Sequence, residues 1–101
     1  MQHDLFANPN RRARPLYPLI VTLQAKVVDG PNAVIAPLTP VTQRTPVSRL
    51  LPIVEHEGGQ YAVVFTLTTT LSTRLLRHPV GSIAHYREDL IRAIDWLFRG
   101  I

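Results

Sequence analysis

The spacing of apolar residues switches from a period of two to a period near 3.6 as the chain is read from start to end. Leu19, Val21, Leu23, Ala25 and Val27 alternate with Ile20, Thr22, Gln24 and Lys26, which predicts a strand with one buried face. The cluster Asp29-Gly30-Pro31-Asn32 then predicts a turn. Ala33 to Ala36 is a short apolar run expected to end at Pro37. Five of the nine prolines fall between Pro31 and Pro52, so this stretch reads as irregular loop with a broken edge strand. Leu51 to Glu57 is expected to pair with Gln60 to Leu67 across Gly58-Gly59 in a primed-type hairpin. Thr68 to Leu76 extends the sheet, and Ser82 after His78-Pro79 is expected to cap a helix.

From Ile83 the period is helical. Ile83, Tyr86, Leu90, Ile91, Ala93, Ile94, Leu97, Phe98 and Ile101 share one side of the wheel, with His85, Glu88, Asp89, Arg92, Asp95, Trp96 and Arg99 opposite. Apolar residues persist to Phe98 and Ile101 around Gly100, which predicts a helix tip held by a contact. Strands first and one helix last give an α+β domain whose mainly antiparallel sheet is packed by a C-terminal helix.

Length sets a single domain, residues 1–101, with one modest core that oligomerisation would help to bury. The apolar fraction of 46% is that of a globular chain and excludes a disordered one. Cysteine is absent, which removes disulfides, thiolate nucleophiles and cysteine zinc sites. Met1 to Asn10 lacks the blocks of a signal peptide and no apolar run approaches a membrane span, so a cytoplasmic protein is expected.

The formal charge is +4, and ten of the eleven basic residues are arginine, the side chain suited to bidentate pairing with carboxylates or phosphates. An acidic partner is therefore expected, either nucleic acid or an acidic protein segment. The arginines are scattered except at Arg11, Arg12 and Arg14, and no aromatics interleave with them, which disfavours direct nucleic-acid recognition.

Catalytic and cofactor signatures are missing: there is no phosphate-cradling glycine loop, nucleophile elbow or metalloprotease helix motif. Glu55-His56-Glu57 looks chemical, but strand alternation separates the imidazole from the two glutamates, leaving an exposed strand end beside a hairpin. Glu88 with Arg92 and Asp95 with Arg99 are helix-surface pairs worth about 0.3 to 0.5 kcal/mol each.

Several segments in order resemble the CcdB family, the gyrase-poisoning toxins of bacterial toxin–antitoxin modules. They are Gln24-Ala25-Lys26-Val27-Val28-Asp29, Val34-Ile35 with Pro37-Leu38, Val47-Ser48-Arg49 with Leu51-Pro52-Ile53-Val54, and the ending Arg87-Glu88, Ala93-Ile94-Asp95, Phe98, Gly100-Ile101. The resemblance implies a homodimer of an SH3-like barrel with a small side sheet, the terminal helices near the two-fold axis. It implies binding to the DNA gyrase A subunit, trapped while its DNA is cleaved, and no catalysis by the toxin itself. The gyrase-binding residues it implies are Val27, Val28, Asp95, Phe98, Arg99, Gly100 and Ile101. DNA would be reached only through gyrase or the antitoxin complex. A CcdA-like antitoxin would bind through an acidic disordered segment, for which Arg11, Arg12 and Arg14 form a suitable basic loop.

Arg99 departs from the family, whose best-known members carry a tryptophan there and stack the paired rings on an arginine of gyrase. Trp96, on the polar face one turn before the tip, is read either as a local cation–π partner of Arg92 or Arg99, or as an interface hot spot that joins the gyrase-binding set. Two other functions remain open. One is a MazF-like endoribonuclease, although the Arg-Gly-Asp opening of that family is absent. The other is a non-toxic dimeric regulatory or structural homologue.

Overall fold

The computed structural model describes residues 2–23 and 30–99. Among them seven strands, β1 (Asp4–Ala7), β2 (Leu19–Thr22), β3 (Asn32–Pro40), β4 (Ile53–His56), β5 (Gly59–Val63), β6 (Thr69–Ser72) and β7 (Gly81–Ser82), precede one helix, α1 (Arg87–Arg99). All pairings are antiparallel, in the order β4-β5-β3-β2-β1-β7, with β6 on β3. The end strands β4 and β7 approach where the His56 ring packs over Gly81, so the sheet is a nearly closed barrel. With α1 against it this is the α+β plan predicted above. The β4–β5 hairpin forms the side sheet and continues the barrel through β3.

The proline-rich stretch is not an edge. β3 runs through Pro37 to Pro40 in the middle of the sheet, pairing by Asn32–Ile35 with β6, by Leu38–Pro40 with β5 and along its other edge with β2. The Pro37 carbonyl accepts the Val64 N–H at 2.9 Å, so the Pro37 nitrogen faces the same edge, at the changeover from β6 to β5. No ladder donor is needed there, and proline continues the strand.

Register moves the hairpin turn by one residue. His56 pairs with Gly59, leaving Glu57 and Gly58 as a two-residue loop with φ of 49° and 79°. Two positive φ values make it the expected primed turn, centred on Glu57-Gly58 rather than Gly58-Gly59. Beyond β5 the chain enters a 3-10 turn at Phe65–Leu67, and another at Thr73–Leu75 follows β6, so both segments are shorter strands than their apolar patterns suggest. Ser82 lies in β7, and its Oγ accepts the Ala84 N–H at 3.2 Å. It opens a 3-10 turn, Ala84–Tyr86, and α1 begins only after that turn.

β2 is buried on both faces, against the expectation of one. Leu19 and Val21 join Leu5, Ala36, Leu38, Val54, Val63, Phe65, Ile83, Leu90 and Ala93 in the core beneath α1. Ile20 joins Phe6, Ala33, Ile35 and Leu76 on the opposite face. Strand alternation sends odd and even residues of one strand into separate cores, each fully buried aliphatic contributing roughly 1.5 to 3 kcal/mol.

Candidate binding surface at the helix tip

α1 is held from its start. The Glu55 N–H of edge strand β4 donates to the Tyr86 hydroxyl at 3.1 Å, and Leu90 and Ala93 are buried with Tyr86, Ile94 and Leu97 packed around them. Glu88 and Asp89 in the first turn and Arg99 in the last suit the helix dipole. Ile91 and Phe98, assigned to the packed face by periodicity, are exposed instead, Phe98 at 81%. The apolar stripe is wider than the sheet beneath it. Leu90, Ala93 and Leu97 form its covered centre, and the line through Ile91 and Phe98, seven residues apart, overhangs into solvent.

Of the residues predicted for gyrase, Asp95, Trp96, Phe98 and Arg99 lie together on the last turns of α1. Val27, Val28, Gly100 and Ile101 lie outside the described residues. Asp95 and Arg99 are exposed and make no ion pair with each other. Arg92 is occupied by Asp89 at 3.5 Å and Glu88 at 3.9 Å. The cation on Trp96 is therefore neither of its helical neighbours: the Arg49 guanidinium, from the loop before β4, lies 4.4 Å from the ring centroid. Sequence spacing pointed only to partners within the helix, and the one hint of a longer reach was a lone tryptophan on a polar face.

Between that loop and α1 is a cavity of about 570 Å³, bounded by Ser48, Arg49, Pro52, Ile53, Trp96 and Arg99 among others. A smaller hollow of about 340 Å³ shares Ser48, Pro52 and Ile53 and continues under Val41 to Leu51.

The basic loop after β1 is organised by buried Asn8. Its N–H donates to the Pro18 carbonyl at 3.0 Å, its Nδ2 to the Tyr17 carbonyl at 2.9 Å, and its Oδ1 accepts the Asn10 N–H at 3.0 Å. Arg14 Nε donates to the Asn8 carbonyl at 2.6 Å, so this arginine braces the loop. Arg11 and Arg12 are exposed.

The sequence model of the CcdB protein family matches residues 2–100. The chain belongs to the CcdB family. No curated protein matches it. As a CcdB-family protein it is a toxin of a toxin–antitoxin module, and the exposed last turn of α1 is the part of this fold that sequence and structure both single out. Elsewhere in this CcdB-family chain, His56 and Glu57 approach to 3.9 Å, with Glu57 in the turn and Glu55 exposed on the strand. Among the described residues no group of three or more histidines and carboxylates could hold a metal ion, and no helix is long and apolar enough to cross a membrane.

Proposed function

We propose that this toxin binds the DNA gyrase A subunit through the tip of α1 and traps the gyrase–DNA cleavage complex, breaking no bond itself. The observation that carries this reading is Phe98: a large aromatic, 81% exposed on the last turn, at a position that belongs to the family's terminal pattern. Asp95 and Arg99 flank it, Trp96 borders it, and Val27, Val28, Gly100 and Ile101 complete the proposed surface. Two copies form a homodimer with their helix tips close together, which doubles the surface. A CcdA-like antitoxin neutralises the toxin through an acidic segment that reaches Arg11, Arg12 and Arg14. Both partners and the toxin meet in the bacterial cytoplasm.

The test is a cleavage assay with gyrase and supercoiled plasmid, run beside an RNA cleavage assay. Linear DNA that accumulates with toxin is the expected result. RNA fragments without linear DNA would replace this reading by a ribonuclease, and neither product would leave a non-toxic homologue. Arg99 repels a cationic target and offers it no aromatic face. Arg99→Trp should therefore lower the toxin concentration needed for half-maximal cleavage by roughly tenfold, the effect of one desolvated cation–π contact.

A further inference from the structure

We propose that the groove between the loop before β4 and α1 is a second binding site, one that takes an acidic peptide segment carrying a large apolar side chain. It goes beyond the gyrase reading and does not depend on it. The cavity, about 570 Å³, is within the size range of ligand sites. Pro52, Ile53, Ala93 and Trp96 give it apolar surface for one anchoring side chain. Trp96 is the chain's sole tryptophan and stays partly exposed there, away from the core that Leu90 and Ala93 occupy.

Charge selects the occupant. Arg49, Arg92 and Arg99 line the groove against Asp89 and Asp95, an excess of cation on a chain of net charge +4. Arg92 and Asp89 neutralise each other at 3.5 Å. Arg49 and Arg99 have no carboxylate partner among the described residues. Stacking on Trp96 engages the face of the Arg49 guanidinium and leaves its in-plane N–H donors available for a carboxylate. The adjoining hollow along Val41 to Leu51 lengthens the groove, which suits an extended peptide better than a compact ligand. A single aromatic ledge offers no track for successive bases, which disfavours a single-stranded nucleic acid.

The full chain serves as bait for a displayed library of random dodecapeptides, with counter-selection on Arg49→Gln. Enriched peptides should carry Asp or Glu residues beside one aliphatic or aromatic residue. A synthetic copy of the most enriched peptide should saturably shift the fluorescence of Trp96, bind more weakly as salt rises, and lose about tenfold or more in affinity to Arg49→Gln. Arg49→Lys, which keeps the charge and loses the planar stack, should recover part of that loss. Both variants should poison gyrase as the parent chain does, so that failure here and failure of the gyrase reading are separable. The proposal is overturned by no enrichment, by enriched peptides without acidic bias, or by binding indifferent to Arg49. Trp96 emission that changes with chain concentration alone would also overturn it, by showing that a second copy fills the groove.

Discussion

Trp96 and Phe98 stand two residues apart on α1 and face nearly opposite ways, about 160° by the helical period. Trp96 lies against Arg49 beside the groove, whereas Phe98 projects into solvent at 81% exposure. The last turns of the helix thus carry two surfaces that mutation can separate. Phe98→Ser removes an exposed ring, so its effect on unfolding free energy should stay within about 0.5 kcal/mol. Gyrase–DNA cleavage should be lost. A melting temperature that falls sharply and depends on protein concentration would instead place Phe98 between subunits.

The basic loop divides in the same way. Arg11 and Arg12 are exposed, while Arg14 Nε is bonded to the Asn8 carbonyl at 2.6 Å. Arg11→Gln with Arg12→Gln should weaken antitoxin binding and flatten its salt dependence, with the fold unaffected. Arg14→Gln should in addition lower stability by about 1 kcal/mol, because the buried Asn8 hinge loses a donor. Titration of antitoxin peptide across salt, beside urea unfolding, separates the two roles. Unchanged affinity in the double variant would remove the loop from the antitoxin site.

What the sequence made legible was periodicity, and what it hid was register and tertiary reach. The helix, the hairpin and the strands-first order follow from apolar spacing, which each segment carries within itself. Pro37 looked like a strand end because a missing N–H is normally costly, and only the neighbours of β3 show that its nitrogen meets a changeover between strands. Phe98 and Ile91 looked buried because a helical wheel does not report how wide a face the sheet can cover. Arg49 could not be assigned to Trp96 from sequence, since 47 positions separate them and no local rule joins them.

His3 supplies a pH dependence. It is 2% exposed with φ of 64°, its N–H donates to the Thr22 carbonyl at 2.7 Å, and its carbonyl accepts from Ile83 at 2.9 Å. Burial, and then the charge of Arg87, hold its imidazole below the ordinary value of 6.5, with Asp4 opposing. The unfolded chain therefore takes up this proton first as pH falls. Stability from this group is full above about pH 6.5 and is lost as pH drops through the lower folded value. His3→Asn tolerates the left-handed backbone and does not titrate. Urea midpoints at pH 7.5 and pH 5 should differ less in this variant than in the parent chain. An equal difference would assign the pH dependence to other groups.

The Glu57-Gly58 turn carries removable strain. Glu57 occupies a left-handed conformation at φ of 49°, which asparagine adopts more readily. Its contact with His56 at 3.9 Å involves a side chain that is 79% exposed, and such pairs contribute little. Glu57→Asn, which creates the preferred sequence for this turn type, should stabilise the chain by roughly 0.5 to 1 kcal/mol in urea unfolding. Destabilisation would mean that the ion pair outweighs the backbone term.

The last prediction concerns how the barrel closes. A Cβ placed on Gly81 would stand 2.6 Å from His56 Cε1 and 3.0 Å from Nδ1, and these residues lie on β7 and β4, the two ends of the strand order. The imidazole, with only 13% of its side chain exposed, has little room to withdraw. Gly81→Ala should therefore force the end strands apart and cost about 1 to 3 kcal/mol, the usual penalty for overpacking. His56→Ala removes the obstacle at the price of its own packing. In that background Gly81→Ala should cost less than about 0.5 kcal/mol, so a double-mutant cycle should give a coupling of about 1 kcal/mol or more. Additive effects would show that the ring and the glycine do not share this contact, and that the barrel closes by other means.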